Sequence, residues 1–478
     1  MGHPIKRQEA FATMSITGFI DPSQIRAQFS SAMSAMYRIE VPLYGDLLDL
    51  VTDTNARALA SSAALKQQLE WTGEIERLSM ERHGAIRVGT AEELSTIRRL
   101  FAVMGMQPVG YYDLSSAGVP VHSTAFRAVH EAELQVSPFR VFTSLLRLEL
   151  IEDEALRALA AEILAKRDIF TPRARALIQQ CEAQGGLNAT DAEAFVKQAL
   201  ETFRWHTEAT VTAAEYERLH GQHRLIADVV AFKGPHINHL TPRTLDIDEV
   251  QAAMPRRGIT AKAVVEGPPR RQCPILLRQT SFKALQEPVA FVGQSGAVGS
   301  HTARFGEIEQ RGAALTLAGR ALYDQLLGEA REDLGEFPNE VNAQRYADLL
   351  EQRFEAFPDS YPAMRREGLA YFRYFVTEAG KAACQDQARP RSLEALIEAG
   401  HVHFEPLVYE DFLPVSAAGI FQSNLGDDAQ VSYGATSNQQ AFHAALGATV
   451  HDELALYAET QRRSLAECAR VLGLDSLG

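Results

Sequence analysis

HINHLTPRTLDID, residues 236–248, is the stretch on which the reading of this chain turns. Gly234 and Pro235 precede it and end whatever helix comes before, because proline has no amide hydrogen to donate and crowds the preceding turn. Two imidazoles, His236 and His239, follow at once, and Asp246 and Asp248 then offer caps for a new helix starting near Glu249. Imidazole is the commonest metal ligand and the side chain that titrates nearest neutral pH. On an extended backbone the two rings face opposite ways, since their separation is odd, so only one of them can serve a given site.

Two further segments carry groups that can meet such a ring. ERHGAIRVGT (81–90) reads as a short strand, with Thr90 and Glu93 forming a capping box for a helix over 91–104. On that strand His83, Ala85 and Arg87 share a face, with the first and last about 13 Å apart at the backbone. An imidazole beside a guanidinium suits a cation and an anion together: the ring holds the metal and the fork grips a carboxylate. HTARFGEIEQRG (301–312) reads as a strand with a glycine inside it, a sign of a bulge or of close backbone approach, and it places Phe305, Glu307, Glu309 and Arg311 on one face. His83, one of His236 and His239, and one of Glu307 and Glu309 therefore form a candidate set. Two histidines and a carboxylate bind Fe(II) on one face and leave three positions open. Zinc hydrolases use a similar set with a bound water. His122, on a strand over 119–127, is a spare candidate with a structural role as its ordinary reading.

The remaining pattern is mixed. Residues 1–20 read as irregular. Helices follow over 23–36, 44–55 and 62–72, and a strand over 108–113. A long helical insertion covers about 134–232, an apolar strand 274–280, a late strand 401–409 and a C-terminal helical segment about 438–478. From 21 on, we expect one elaborated catalytic domain. The chain has 478 residues, 46% apolar and 23% charged, ample for a large core. A net charge of −14 without a basic stripe excludes nucleic acid as a partner. Cys181, Cys273, Cys384 and Cys468 stand far apart, with no CxxC pair, which fits a reducing cytoplasm. The first twenty residues lack the apolar core of a signal peptide, and no apolar run reaches the roughly 18 residues of a membrane helix. Nothing in the sequence fixes an oligomeric state.

The four segments ERHGAIRVGT, HINHLTPRTLDID, FGEIEQRG (305–312) and EDFLPVSAAGIFQSNL (410–425), in this order, resemble the signature segments of the 2-oxoadipate dioxygenase/decarboxylases. The resemblance runs from about residue 23 to 425. It implies an α+β fold: a vicinal-oxygen-chelate-like curved sheet of paired βαβββ units, heavily decorated with helices. It implies Fe(II) held by His83, His239 and Glu307. It implies a 2-oxo diacid substrate held by the two histidines, by Arg87, by the backbone at Val415 and by the adjacent Ser416. The activity implied is conversion of 2-oxoadipate and O2 to D-2-hydroxyglutarate and CO2 in lysine catabolism. The route implied is chelation of the substrate to iron, oxidative decarboxylation and intramolecular hydroxylation. A zinc-dependent hydrolase or isomerase on the same scaffold is the alternative, and a helical interaction protein without metal a more distant one.

Overall fold

The computed structural model describes residues 18–478 except 116–117, 294–297, 303, 337, 386–389, 414–437 and 478. Eleven strands are present among the described residues: β1 (Arg82–Val88), β2 (Gln107–Asp113), β3 (Val121–Arg127), β4 (Arg140–Leu146), β5 (Leu240–Thr244), β6 (Leu277–Ser281), β7 (Gln286–Ala290), β8 (Val298–Thr302), β9 (Glu307–Arg311), β10 (Phe372–Val376) and β11 (Val402–Pro406). Seven of them make one curved sheet in the order β2-β3-β4-β1-β5-β9-β6.

The order contains a repeat. β1, the helix Ala91–Val103 and then β2, β3 and β4 form a βαβββ unit, in which β4 returns parallel to β1 and pairs antiparallel with β3. β5, the helix Ile247–Ala253, β6 and β9 repeat the plan: β9 returns parallel to β5 and pairs antiparallel with β6. Between β6 and β9 the chain departs into the separate hairpin β7–β8. The two units join where β1 and β5 run antiparallel, with His83 opposite Thr241. This is the α+β, vicinal-oxygen-chelate-like arrangement expected. Both expected caps form as well: Thr90 and Glu93 close a capping box, and the Asp246 side chain accepts from the Glu249 amide.

Three local expectations need correction. Residues 138–184 read as helical, yet RVFTSLL is β4, so the helices inserted between the two units begin at Glu154. β4 is buried along its whole length and lies between β1 and β3. Its apolar residues Val141, Phe142, Leu145 and Leu146 recur at helical spacing, while Arg140, Thr143 and Ser144 between them are buried as well, so the pattern imitates a helix face and shows no two-residue alternation. Residues 301–312 are not one strand but the end of β8, a break, and β9. At the break the Phe282 ring occupies the space of a Gly306 side chain, only 2.0 Å from where a Cβ would stand, which is the close approach the glycine announced. Residues 254–265, whose pattern reads as a helix end, a turn and a strand, make only isolated bridges at their far end, Ala261 to Phe282 and, just beyond, Glu266 to Gln279. Of the N-terminal stretch read as irregular, 1–17 lie outside the described residues.

Helices cover the sheet. Pro22–Glu40 lays Phe29, Met33 and Tyr37 against Leu100, Phe101 and Phe126 in one core. A second core packs Ala85 and Phe142 of the sheet against Val229, Val230 and Phe412. A third joins β10 and β11 to the helices Leu317–Leu334 and Glu453–Leu472. The sheet is thus buried on both faces, and polar side chains along β1, β5 and β9 must find partners inside the protein.

Candidate functional site

The seam between the two units brings three ligand groups together. His83 lies on β1, His239 immediately precedes β5, and Glu307 opens β9. One nitrogen of each ring and one carboxylate oxygen lie within 4.8 Å of one another, and all three residues are fully buried. Among the described residues this is the only such cluster. Its closeness depends on Gly84. A Cβ there would stand 2.5 Å from Ile237 Cδ1 and 2.7 Å from the His239 carbonyl oxygen, so any side chain would push the second histidine segment away.

Hydrogen bonds orient the set. Glu307 Oε1 accepts from the Thr241 hydroxyl at 3.0 Å and from Gln279 Nε2 at 3.1 Å, and lies 2.9 Å from His83 Nε2 and 3.8 Å from His239 Nε2. Among the described residues, Glu307 Oε2 and both nitrogens of His239 are buried without a hydrogen-bond partner. Buried polar atoms are seldom left this way, and an unsatisfied one costs about 1–3 kcal/mol. Two imidazoles and a carboxylate with ligand atoms this close are the donor set of a divalent transition metal, so the residues fit a resident cation. Phe305 and Phe412 close the site at 4.9 Å from the His239 and His83 rings respectively.

Electrostatics separate the two histidines. Burial pushes His239 down to about 4, against Glu307 and with help from His83, Arg87 and Lys262, so its ring is neutral with one nitrogen lone pair to give. For His83 burial also lowers the pKa, but the carboxylates of Glu309 and Glu307 outweigh it and raise the value overall. Glu309 Oε2 stands 3.2 Å and Arg140 Nη2 3.3 Å from His83 Nδ1, on the side away from the cluster. Glu309 is itself bound by Arg140 at 2.5 Å and Arg311 at 2.8 Å, and these guanidiniums overcome its burial and hold its carboxyl well below the usual range. The chain of buried charge continues from Arg311 to Glu81 and Glu410, each at 2.7 Å, and from both acids to Arg77, each at 2.8 Å. A ring nitrogen facing a fixed carboxylate is the usual way a metal-binding imidazole is held in orientation.

The other candidates fall as follows. His236 is turned away from the cluster, with Nε2 at 3.3 Å from Asp228 Oδ1 and 3.2 Å from Asn238 Nδ2. His122 packs edge-on against Phe442 at 4.7 Å, and burial keeps its pKa at about 4, as befits a structural ring. Arg87 is buried on β1, and its Nη1 meets Asp228 Oδ2 at 2.7 Å. Val415 and Ser416 lie outside the described residues. Four participants escaped the sequence reading: Asp228, Thr241, Gln279 and Tyr37, whose hydroxyl donates to the carbonyls of Asn238 and Phe305 at 3.0 and 2.8 Å and so ties the His239 segment to the approach to β9. Asp228 left a visible trace, a lone acid in the apolar run LIADVV (225–230). No helix of the described residues is long and apolar enough to cross a membrane.

Comparison with known proteins agrees with this geometry. A family model described as 2-oxoadipate dioxygenase/decarboxylase matches residues 29–424. A 2-oxoadipate dioxygenase/decarboxylase of Pseudomonas putida is 69% identical over 464 residues, 97% of this chain and 100% of that protein. One of Escherichia coli is 58% identical, covering 94% of this chain and 98% of its own length. The crystal structure of the hydroxyglutarate synthase from Pseudomonas putida in complex with 2-oxoadipate superposes with a TM-score of 0.91 at 68% identity, over 96% of this chain and 100% of that one. With a family model spanning most of its length and relatives this similar from end to end, the chain belongs to the 2-oxoadipate dioxygenase/decarboxylase family and is an oxidoreductase.

Proposed function

We propose that this enzyme converts 2-oxoadipate and O2 to D-2-hydroxyglutarate and CO2, using Fe(II) held by His83, His239 and Glu307. The observation that carries the reading is the buried convergence of those three groups, with Glu307 Oε2 and both His239 nitrogens lacking a hydrogen-bond partner among the described residues. The substrate named for the relatives supports the choice of diacid. When bound, the ferrous ion supplies the redox chemistry by which a 2-oxo acid reacts with dioxygen.

The chain's own residues have four tasks. Glu309 Oε2 faces His83 Nδ1 at 3.2 Å, beside the Arg140 guanidinium at 3.3 Å, and its charge favours a proton on Nδ1, which leaves Nε2 as a lone-pair donor facing the site. Thr241 and Gln279 fix one oxygen of Glu307 and so aim the other. Arg87 takes the distal carboxylate. It stands four residues along β1 from His83, a rise of about 13 Å, so a rigid strand measures the diacid from its chelating end to its far end. Phe305 and Phe412 keep water from the reacting atoms. The Val415 backbone and Ser416 add contacts to the substrate. Both atoms of dioxygen are used, one in the new carboxylate and one in the hydroxyl on the neighbouring carbon, so no second 2-oxo acid is consumed. We place the reaction in the cytoplasm, in lysine catabolism; the four free cysteines agree with a reducing compartment.

The test is anaerobic loading with Fe(II), then 2-oxoadipate and 18O2, with oxygen uptake, CO2 and 2-hydroxyglutarate assayed together. Equal amounts of all three, with one label in the hydroxyl, are expected. Turnover with zinc and without oxygen uptake would refute the proposal.

A further inference from the structure

A buried hydrogen-bonded chain runs from Arg87 into the helices inserted between the two units. Asp228 stands in the helix Arg224–Val230, where Leu225, Ile226, Ala227, Val229 and Val230 are its buried apolar neighbours. Its Oδ2 accepts from Arg87 Nη1 at 2.7 Å. Its Oδ1 faces His301 Nε2 of β8 at 3.0 Å and His236 Nε2 at 3.3 Å. The other nitrogen of His301 meets the Tyr216 hydroxyl, from the helix Ala213–Gln222, at 2.8 Å. Aromatic rings wall the chain in: Trp205 stands edge-on to His236 at 4.6 Å, and Phe232 lies 4.7 Å from His301.

An ionised carboxylate placed this deep is costly unless it is paired, and this one has partners on both oxygens. Burial opposes its charge, but His236 and Arg87 outweigh burial and hold its pKa well below the usual carboxylate range. Its partners come from three separate places: β1, the loop before β5, and β8. The carboxylate is thus fixed from outside β1, and it fixes in turn the one long, jointed side chain on that strand face.

We propose that Asp228 is the positioning residue that sets the reach of Arg87, so that the inserted helices decide which length of diacid the site accepts. This rests on the reading of Arg87 as the anchor for the distal carboxylate. Without the clamp, the guanidinium loses the 2.7 Å contact that sets its reach and meets a carboxylate at more than one distance. A rival role, in which Asp228 merely offsets the charge of Arg87, has a different consequence. Removing the offset changes affinity for every dianion by a similar factor and leaves the preference among lengths untouched.

The experiment uses the full-length, iron-loaded enzyme and compares kcat/KM for the five-, six- and seven-carbon substrates 2-oxoglutarate, 2-oxoadipate and 2-oxopimelate by oxygen uptake. Asp228→Asn is expected to compress the preference for the six-carbon acid about tenfold, mainly through KM, on the scale of one misplaced anchoring contact. His301→Phe keeps a ring in the aromatic wall and loses both hydrogen bonds, so it moves the preference the same way and carries the test if the asparagine variant does not fold. Adding Asp228→Asn to Arg87→Ala is expected to change the preference no further. Wild-type length preference in both single variants, or additive effects in the double variant, overturns the proposal. An Arg87→Ala enzyme that itself keeps the preference refutes the underlying reading of Arg87. That outcome differs from one in which Arg87→Ala loses the preference while Asp228→Asn retains it.

Discussion

Glu309→Gln is the most informative single substitution at the metal cluster, because it leaves all three proposed ligands in place. Glutamine has nearly the shape of glutamate, so packing is kept and only the charge facing His83 Nδ1, at 3.2 Å, is lost. Replacing the carboxylate behind a metal-binding imidazole typically lowers metal affinity 10- to 100-fold, or about 1.4–2.8 kcal/mol. A second cost falls on the fold. Arg140 and Arg311 are wholly buried and both bind Glu309. Stripping a buried guanidinium of its only counter-ion costs about 3–5 kcal/mol. Here Arg311 retains Glu81 and Glu410, and Arg140 retains the Glu410 carbonyl at 2.6 Å, so we expect roughly half that penalty. The assay is anaerobic titration of apoprotein with Fe(II), alongside chemical unfolding of the same sample. A dissociation constant within threefold of wild type in a folded variant would show that Glu309 does not orient His83, and the division of labour between Glu307 and Glu309 would fail.

Three further outcomes are expected. His239→Leu abolishes iron binding and turnover, yet its apoprotein unfolds at no lower denaturant concentration than wild-type apoprotein, since leucine removes buried nitrogens that cost about 1–3 kcal/mol when unpaired; a clearly less stable apoprotein would contradict the assignment of those nitrogens. Tyr37→Phe withdraws the donor shared by Asn238 and Phe305 and costs about 1–3 kcal/mol in unfolding experiments, with weaker Fe(II) binding measured beside it. Gly84→Ala forces Ile237 and His239 aside and lowers Fe(II) affinity by about tenfold or more, whereas an alanine variant that loads iron normally would refute the close-approach argument.

What could be read in the sequence follows the range of the interactions concerned. His83 and Arg87 were legible together because both sit on one strand, where period-two alternation alone decides that they share a face. The choice between His236 and His239 was not open to local reading. It depends on β5 pairing with β1 so that His83 faces Thr241, a register set by residues far apart in the chain. Glu307 and Glu309 pose the same difficulty, since both lie on one face of β9 and differ only in which side of the His83 ring they reach. Resemblance chose among these where periodicity had no means to. β4 was missed for the opposite reason: its local signal is strong but misleading, because Val141, Phe142, Leu145 and Leu146 fall at helical spacing on a strand buried on both faces. Asp228 could have been suspected from its apolar surroundings, but its partner Arg87 lies on the first unit, 141 residues away.

The seam between β1 and β5 has one more consequence. The cluster draws one side chain from the first unit and two from the second, and 224 residues separate His83 from Glu307. Neither half alone presents a complete donor set, so a cation captured there acts as a rivet across the joint between the halves. Loading must follow docking, and any excursion that parts the strands releases the ion. Retention of the proposed iron is therefore a gauge of how firmly the two halves hold together.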